Sequence, residues 1–353
     1  MDPDRTPPIL AEPGDGKPSR SVFKRVVLLM VLAGLAVAAF RVPIGIFYAY
    51  LPGPVRSVEP LIDISGAQTY SSEGGLYLTT VSVDTEVTFV ELIDTILDPN
   101  STVIMKEDLL PSGISLKQLE QQQREQMTSS KRRALEVALA ALDLGRPSGD
   151  GARVQGTEPD YPAAGKLREG DVIVEVDGRE VATTCDVGRA VDQHSPGDQI
   201  VFTVERNGRR TEAIIESTQS PEDPDAPFVG VYMEDVNYEF DPGIDVQIKT
   251  GEIAGPSAGL MFSLAIYDLL TPEDLTMGRK IAGTGEIACD GGVRPIGGIE
   301  QKVAGAAQQG AEIFLAPAAN FRAAVEAANG EIEIVKVSNF DDALAYLENL
   351  AAR

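Results

Sequence analysis

"GEIAGPSAGLMFSLAIYDLL", residues Gly251–Leu270, decides how this chain is read. A loop of small residues runs straight into a segment with almost no polar face. Leu260, Met261, Phe262, Leu264, Ile266, Leu269 and Leu270 cover nearly the whole circumference of a helix over Ser257–Leu270, so the pattern predicts a buried helix. Pro256 at its start, among small neighbours, lets the backbone approach another group closely. The amino end of a buried helix offers free N–H groups and positive potential, which suit a phosphate or an oxyanion. Ser257 at that junction is therefore a nucleophile, part of an anion cradle, or the hydroxyl that caps a core helix.

Two of the neighbouring chemistries fail on sequence. A phosphate loop needs Gly, four residues, then Gly-Lys-Ser/Thr, and no stretch of the chain has it, which argues against a nucleotide site. "GPSAG" fits the Gly-x-Ser-x-Gly elbow of α/β-hydrolases, but those enzymes place their histidine after the serine. The only histidine, His194, comes before it in "HSPGD" and reads as an exposed turn residue. A desolvated lysine can also take a serine proton, because burial lowers its pKa. "GGIEQKVAGAAQQG", residues 297–310, reads as a helix entered through Gly297–Gly298 with an apolar stripe of Ile299, Val303, Ala306 and Ala307. At about 100° per residue Lys302 falls on the edge of that stripe, with Gln301 and Gln308 facing out. Periodicity alone favours a snorkelling Lys302.

Composition narrows the classes further. With 353 residues, 43% hydrophobic, the chain has room for two or three domains with cores of their own. Its 54 acidic against 30 basic residues, a net charge of -24, exclude a nucleic-acid partner, since phosphate contacts need clustered Lys and Arg. Cys185 and Cys289 lie far apart in sequence and are expected in different domains, with neither a disulfide framework nor a Cys-rich metal site. A single histidine removes every two-His metal motif.

Along the chain, residues 1–25 read as a disordered tail on the cytoplasmic side and 26–50 as a membrane anchor. Arg20, Lys24 and Arg25 precede an uncharged run from Val26 to Phe40, which "VPIGIFYAY" extends past Arg41. That run approaches the roughly 20 residues a spanning helix needs, and the positive flank keeps the amino terminus inside. The expectation is a single-pass protein of a bacterial cell membrane with its catalytic part outside, the alternative being a signal peptide cleaved after Ala38. Residues 54–146 form an exported segment of mixed character. In it "GGLYLTTVSV" reads as a strand and "SLKQLEQQQREQMTSSKRRALEVALAALDL" as a long helix broken near Ser129 and Ser130. Its helices pack on a later domain or make an oligomer contact. Residues 150–218 hold the strand "DVIVEVDG" and a hairpin turning at Asn207-Gly208. Residues 219–227 read as a stiff, extended Pro and acid linker. A third unit fills 228–353.

"YPAAGKLREGDVIVEVDGREV", residues 161–181, resembles a PDZ domain of the bacterial kind found beside exported proteases. The resemblance implies capture of an exposed peptide terminus as an added strand between a sheet edge and a helix, with the carboxylate loop near "GARVQG". "GPSAGLMFSLAIYDLL" together with "AGTGEIACDGGVRPIGGIEQKVAGAAQQGAEIFLAPAAN" is similar to the proteolytic domain of Lon-type serine proteases. That likeness places the nucleophile on Ser257, the general base on Lys302 and a supporting threonine on Thr284. As a whole the chain resembles the membrane-anchored, PDZ-containing Lon-like proteases of bacteria. They imply an ATP-independent serine endopeptidase with a Ser-Lys dyad, cutting exported or membrane-proximal polypeptides without cofactor, metal or nucleotide and tending to form homo-oligomers. The expected fold is multidomain α/β and α+β: an N-terminal transmembrane helix, a mixed exported segment, a PDZ-like β-rich domain and a Lon-type α+β proteolytic domain. One departure stands out: Ala254 occupies the place where Lon commonly has Asp before Gly-Pro-Ser. Glu252 nearby either substitutes in part or is solvated loop charge. Two rival classes are a non-catalytic PDZ scaffold or client-delivery protein with an inactive Lon-like domain, and an esterase or amidase for small substrates.

Overall fold

The computed structural model describes residues 24–25, 27–30, 42–109, 115–221 and 224–351. Two six-stranded sheets organise them. The first contains β1 (Phe47–Ser57), β3 (Gly75–Asp84), β4 (Thr102–Met105), β11 (Lys280–Gly283), β12 (Ile313–Pro317) and β13 (Glu333–Val337), in the spatial order β13-β12-β11-β3-β1-β4. Strands β13, β12, β11 and β3 run parallel, and β1 and β4 are antiparallel additions. Both faces of the parallel part are covered, as its apolar sequences require. Ile281, Ile313 and Leu315 face one core, while Ala282, Phe314 and Ala316 alternate into the other.

Helices α2 (Leu116–Ala141), α4 (Gly259–Leu270) and α7 (Phe340–Ala351) close the first face, and α5 (Ile299–Gln308) and α6 (Phe321–Ala328) close the second. The predicted buried helix is α4, beginning two residues after Ser257, with Leu260, Met261, Phe262, Leu264 and Ile266 all inaccessible to solvent. Residues 47–105, which carry little sequence chemistry, thus supply half of the strands of the sheet that holds Ser257's surroundings. A further strand pair, β2 (Ile62–Ser65) with β10 (Asp245–Ile248), ties the same early segment to the chain just before the Ser257 loop.

The expected break in the long helix does not occur. From its Ser115–Gln118 capping box, α2 runs through Ser129 and Ser130 without interruption. Its Met127, Ala134 and Val137 pack on the core that includes α4.

The second sheet joins β5 (Ala152–Thr157), β6 (Val172–Val176), β7 (Gln199–Arg206), β8 (Arg209–Glu216) and β9 (Val231–Asp235) in the order β9-β5-β6-β7-β8, with Arg179–Glu180 pairing on β6. In the β7–β8 turn Asn207 and Gly208 adopt φ of 52° and 73°, the left-handed pair that a two-residue hairpin demands. Simple alternation fails in β6, because its pairing with β7 slips between Ile173 and Glu175; Ile173 and Val176 are buried and Val174 is not. Helix α3 (Thr184–Val191) lies beside this sheet, its Thr184 bonded through N–H and Oγ1 to Asp235 at 2.7 and 2.8 Å. The linker is not an extended spacer, since Thr218–Gln219 pairs back onto Pro227–Phe228.

Two expectations are overturned. The anchor assigned to 26–50 ends in strand, not helix: Phe47–Tyr50 pair with Thr102–Met105 on one side, and Ala49 and Tyr50 pair with β3 on the other, with Tyr48 and Ala49 buried. Aromatic and small residues there serve a sheet. Among the described residues no helix is long and apolar enough to cross a membrane, so the transmembrane helix and the single-pass placement built on it have no support. Residues 26 and 31–41 of that stretch, the proposed cleavage site after Ala38, and the tail 1–23 lie outside the described residues. The cysteines, 104 residues apart, form a disulfide between α3 and the loop of the 286–294 hairpin, with Cα atoms 5.5 Å apart. Sequence distance concealed the pairing because folding brings the two units edge to edge.

Closing so long a loop restricts the unfolded chain, and the Cys185→Ser/Cys289→Ser double variant is expected to lose about 2–4 kcal/mol of stability in denaturant titrations. Peptide mapping of the unreduced protein should recover Cys185 and Cys289 on one cross-linked fragment. Free thiols at both positions in non-reducing preparations would contradict the link.

Candidate active site

The site forms where three chain segments meet at the carboxyl end of β11. Gly283 ends that strand against Met261 and Leu315, where a Cβ would stand only 2.5 Å from the Met261 sulfur. The chain then places Thr284, fully buried, with its N–H on the Leu315 carbonyl at 3.1 Å. The second segment is the loop before α4. The third is the first turn of α5, entered through Gly298, whose φ of 67° is easily adopted only by glycine and whose Cβ would strike Val81.

These segments converge on one amine. Lys302 Nζ lies 2.9 Å from Ser257 Oγ and 3.2 Å from Thr284 Oγ1. Lys302 is 5% exposed and no carboxylate pairs with it among the described residues. Burial without an opposite charge disfavours the ammonium, and its pKa falls from 10.5 to about 8. Thr284 has a second task, donating its hydroxyl to the Ser257 carbonyl at 3.0 Å, and Gly285 N–H donates to the same oxygen at 2.8 Å. Lys302 therefore does not snorkel. Its neighbour Gln301 is likewise buried, not outward, bonded through Nε2 to Thr102 Oγ1 at 3.0 Å, because β1 and β3 cover that side of α5.

Ser257 opens on a cavity of about 880 Å³ whose walls include Tyr50, Arg56, Val81, Met127, Glu252 and Glu286. Glu252 and Ala254 are exposed on its rim, and Glu286 is held by Arg133 of α2 at 3.2 Å. Among the described residues neither the Ser257 nor the Ala258 N–H donates to a backbone carbonyl. His194 takes no part. It pairs with Asp177 at 3.1 Å in the second sheet's unit, half-covered at the end of α3. Among the described residues no group of His, Cys, Asp and Glu is arranged to hold a metal.

Comparison with known proteins returns two domain models. Residues 113–216 match the PDZ domain model and residues 233–349 match the Lon protease (S16) C-terminal proteolytic domain model. The Lon protease of Mycoplasma mobile is 34% identical over 116 residues, 31% of this chain and 14% of that protein. Lon protease 2 of Bacillus subtilis is 33% identical over 110 residues, 31% of this chain and 18% of that protein. Lon protease 2 of Herpetosiphon aurantiacus is 37% identical over 113 residues, 30% of this chain and 14% of that protein. The chain thus spans no more than 18% of the length of these relatives. It carries a PDZ domain and a Lon-type proteolytic domain, and the matches support a serine peptidase.

A direct consequence concerns Lys302. Side-chain NMR of labelled lysines should show one amine titrating near pH 8, apart from the main group near about 10.4, and absent in Lys302→Met. Its folded pKa lies below its unfolded one, so between these values the unfolded chain holds more protons. This group's contribution to stability therefore rises with pH across that interval. A Lys302 that titrates with the bulk would remove the basis for its proposed chemistry.

Proposed function

We propose that the chain is a serine endopeptidase that hydrolyses polypeptides through a Ser257–Lys302 dyad without ATP. The observation that carries this reading is the neutral-prone Lys302 amine, 2.9 Å from Ser257 Oγ and partnered only by hydroxyls among the described residues. In its free-base form Lys302 accepts the Ser257 proton as Oγ attacks a peptide carbonyl. Thr284, at 3.2 Å from Nζ, fixes the amine's direction. The oxyanion is received by the Ser257 and Ala258 N–H groups. The Lys302 ammonium then protonates the leaving amine, and water enters by the same route to release the acyl group and restore Ser257. No step draws on nucleotide hydrolysis.

The PDZ unit supplies substrate capture in this proposal. Strand β9 is the edge of the second sheet and α3 lies alongside it, an arrangement into which an extended peptide can add as a strand. That edge strand lies beyond the 150–218 segment whose sequence resembles a PDZ domain, and the loop leading into it, Phe228–Gly230, takes the place that "GARVQG" was expected to fill.

Incubating the protein with an unfolded polypeptide and no ATP should yield fragments, with kcat/KM rising as pH is raised through about 8 and then levelling. Ser257→Ala should lower the rate at least about 10³-fold. Lys302→Arg, which keeps charge and reach but cannot be a base, should do the same. Retained hydrolysis in either variant overturns the dyad, and cleavage confined to small esters favours the esterase reading.

A further inference from the structure

Both carbonyls beside Ser257 are held from outside its loop. The Ser257 carbonyl is bonded by Thr284 and Gly285. The one before it, Pro256 O, accepts a 2.8 Å hydrogen bond from Ser130 Oγ, a residue of α2 that lies 126 positions away in sequence, and a longer one, 3.3 Å, from Gly259 N–H at the start of α4. One residue earlier, Gly255 N–H donates to the Gln123 carbonyl of the same helix at 3.0 Å.

Ser130 is unusual for a mid-helix serine. Hydroxyls in helices commonly return to the carbonyl four residues back, as Thr128 does to Arg124 at 3.1 Å in α2 and Ser263 to Gly259 at 2.9 Å in α4. Ser130 instead reaches across to another segment. It is inaccessible to solvent, at the dry contact between α2 and α4. Room for it exists only because position 259 is glycine: a Cβ there would sit 2.8 Å from Ser130 Oγ and 2.7 Å from an Ile287 methyl. Alanine at 130 would favour the helix more but would leave the Pro256 carbonyl without this bond.

We infer that Ser130 is a positioning residue for Ser257, an inference that rests on the peptidase reading above. The Pro256 carbonyl and the Ser257 N–H belong to one rigid peptide plane. Fixing the oxygen therefore fixes the direction of the N–H, which is one of the two donors left for the oxyanion, and with it the direction in which the Ser257 side chain leaves the backbone. Ser130 touches no substrate. It acts by removing rotation from the donor that must be in place when negative charge develops.

The test compares Ser130→Ala with Val137→Ala, a deletion in the same buried face of α2 that touches no part of the loop. Ser130→Ala should lower kcat on an unfolded polypeptide about tenfold with KM little changed. It should weaken a peptide boronic acid, whose tetrahedral adduct presents an oxygen to those N–H groups, by a similar factor. Val137→Ala should lower the melting temperature and leave kcat and boronate affinity as in wild type. Wild-type kcat and boronate affinity in Ser130→Ala, with only a shifted melting temperature, would make Ser130 a structural residue and overturn the inference. Should Ser257→Ala itself remain active, it is the underlying peptidase reading that falls; a dead Ser257→Ala beside a fully active Ser130→Ala removes the positioning role alone.

Discussion

A lysine amine enclosed with two hydroxyls and no carboxylate is the constraint around which the catalytic unit is arranged. Ammonium ions inside proteins are ordinarily paired, because losing water without gaining an opposite charge costs several kcal/mol. Among the described residues Lys302 Nζ bonds only to Ser257 and Thr284. The protein accommodates it by letting the proton go more easily, and the proposed role of the amine as a base rests on that concession. Everything that shuts water out contributes: β1 and β3 against one side of α5, α6 against the other, and Gly298 permitting the close approach to Val81.

Around that amine the units of the chain are joined more closely than their order suggests. Strands from residues 47–105 complete the sheet whose β11 delivers Thr284. Helix α2 buttresses the Ser257 loop through Gln123 and Ser130 and holds Glu286 through Arg133. Two residues after Thr284 the same chain enters the hairpin whose Cys289 is bonded to Cys185 of α3, the helix beside the edge strand β9. The second sheet's unit and the cavity wall are therefore covalently connected. Substrate held at β9 would be presented by a support that is not free to drift from the cleavage site.

The helix after the Ser257 loop left a local mark in the sequence, an all-round apolar pattern that reads directly as burial. Periodicity alone pointed to a snorkelling Lys302, and only the resemblance to Lon-type proteolytic domains singled out Lys302 with Ser257 and Thr284, three residues that the fold brings within hydrogen-bond reach. What stayed hidden was long-range. Nothing local tells β1 to pair with β3 in a sheet completed by strands some 200 residues later, nor Cys185 to meet Cys289. Ser129-Ser130 looked like a helix break because serine competes for backbone hydrogen bonds, and only the facing Pro256 carbonyl explains why the helix continues. Gln301 looked solvent-facing, yet β1 and β3 cover that side of α5. The apolar stretch before residue 50 invited a membrane reading, whereas its last four residues pair into a sheet.

The most direct examination of the central claim is the site and the base dependence of acylation at Ser257. The protein is treated with an irreversible phosphonylating reagent near pH 8.5, digested, and the adduct located by mass spectrometry. A single modified peptide carrying Ser257, formed by the native protein and lost when Lys302 is replaced by methionine, is the predicted result. Modification at another residue, or equal labelling of Ser257 without the lysine, would contradict the account.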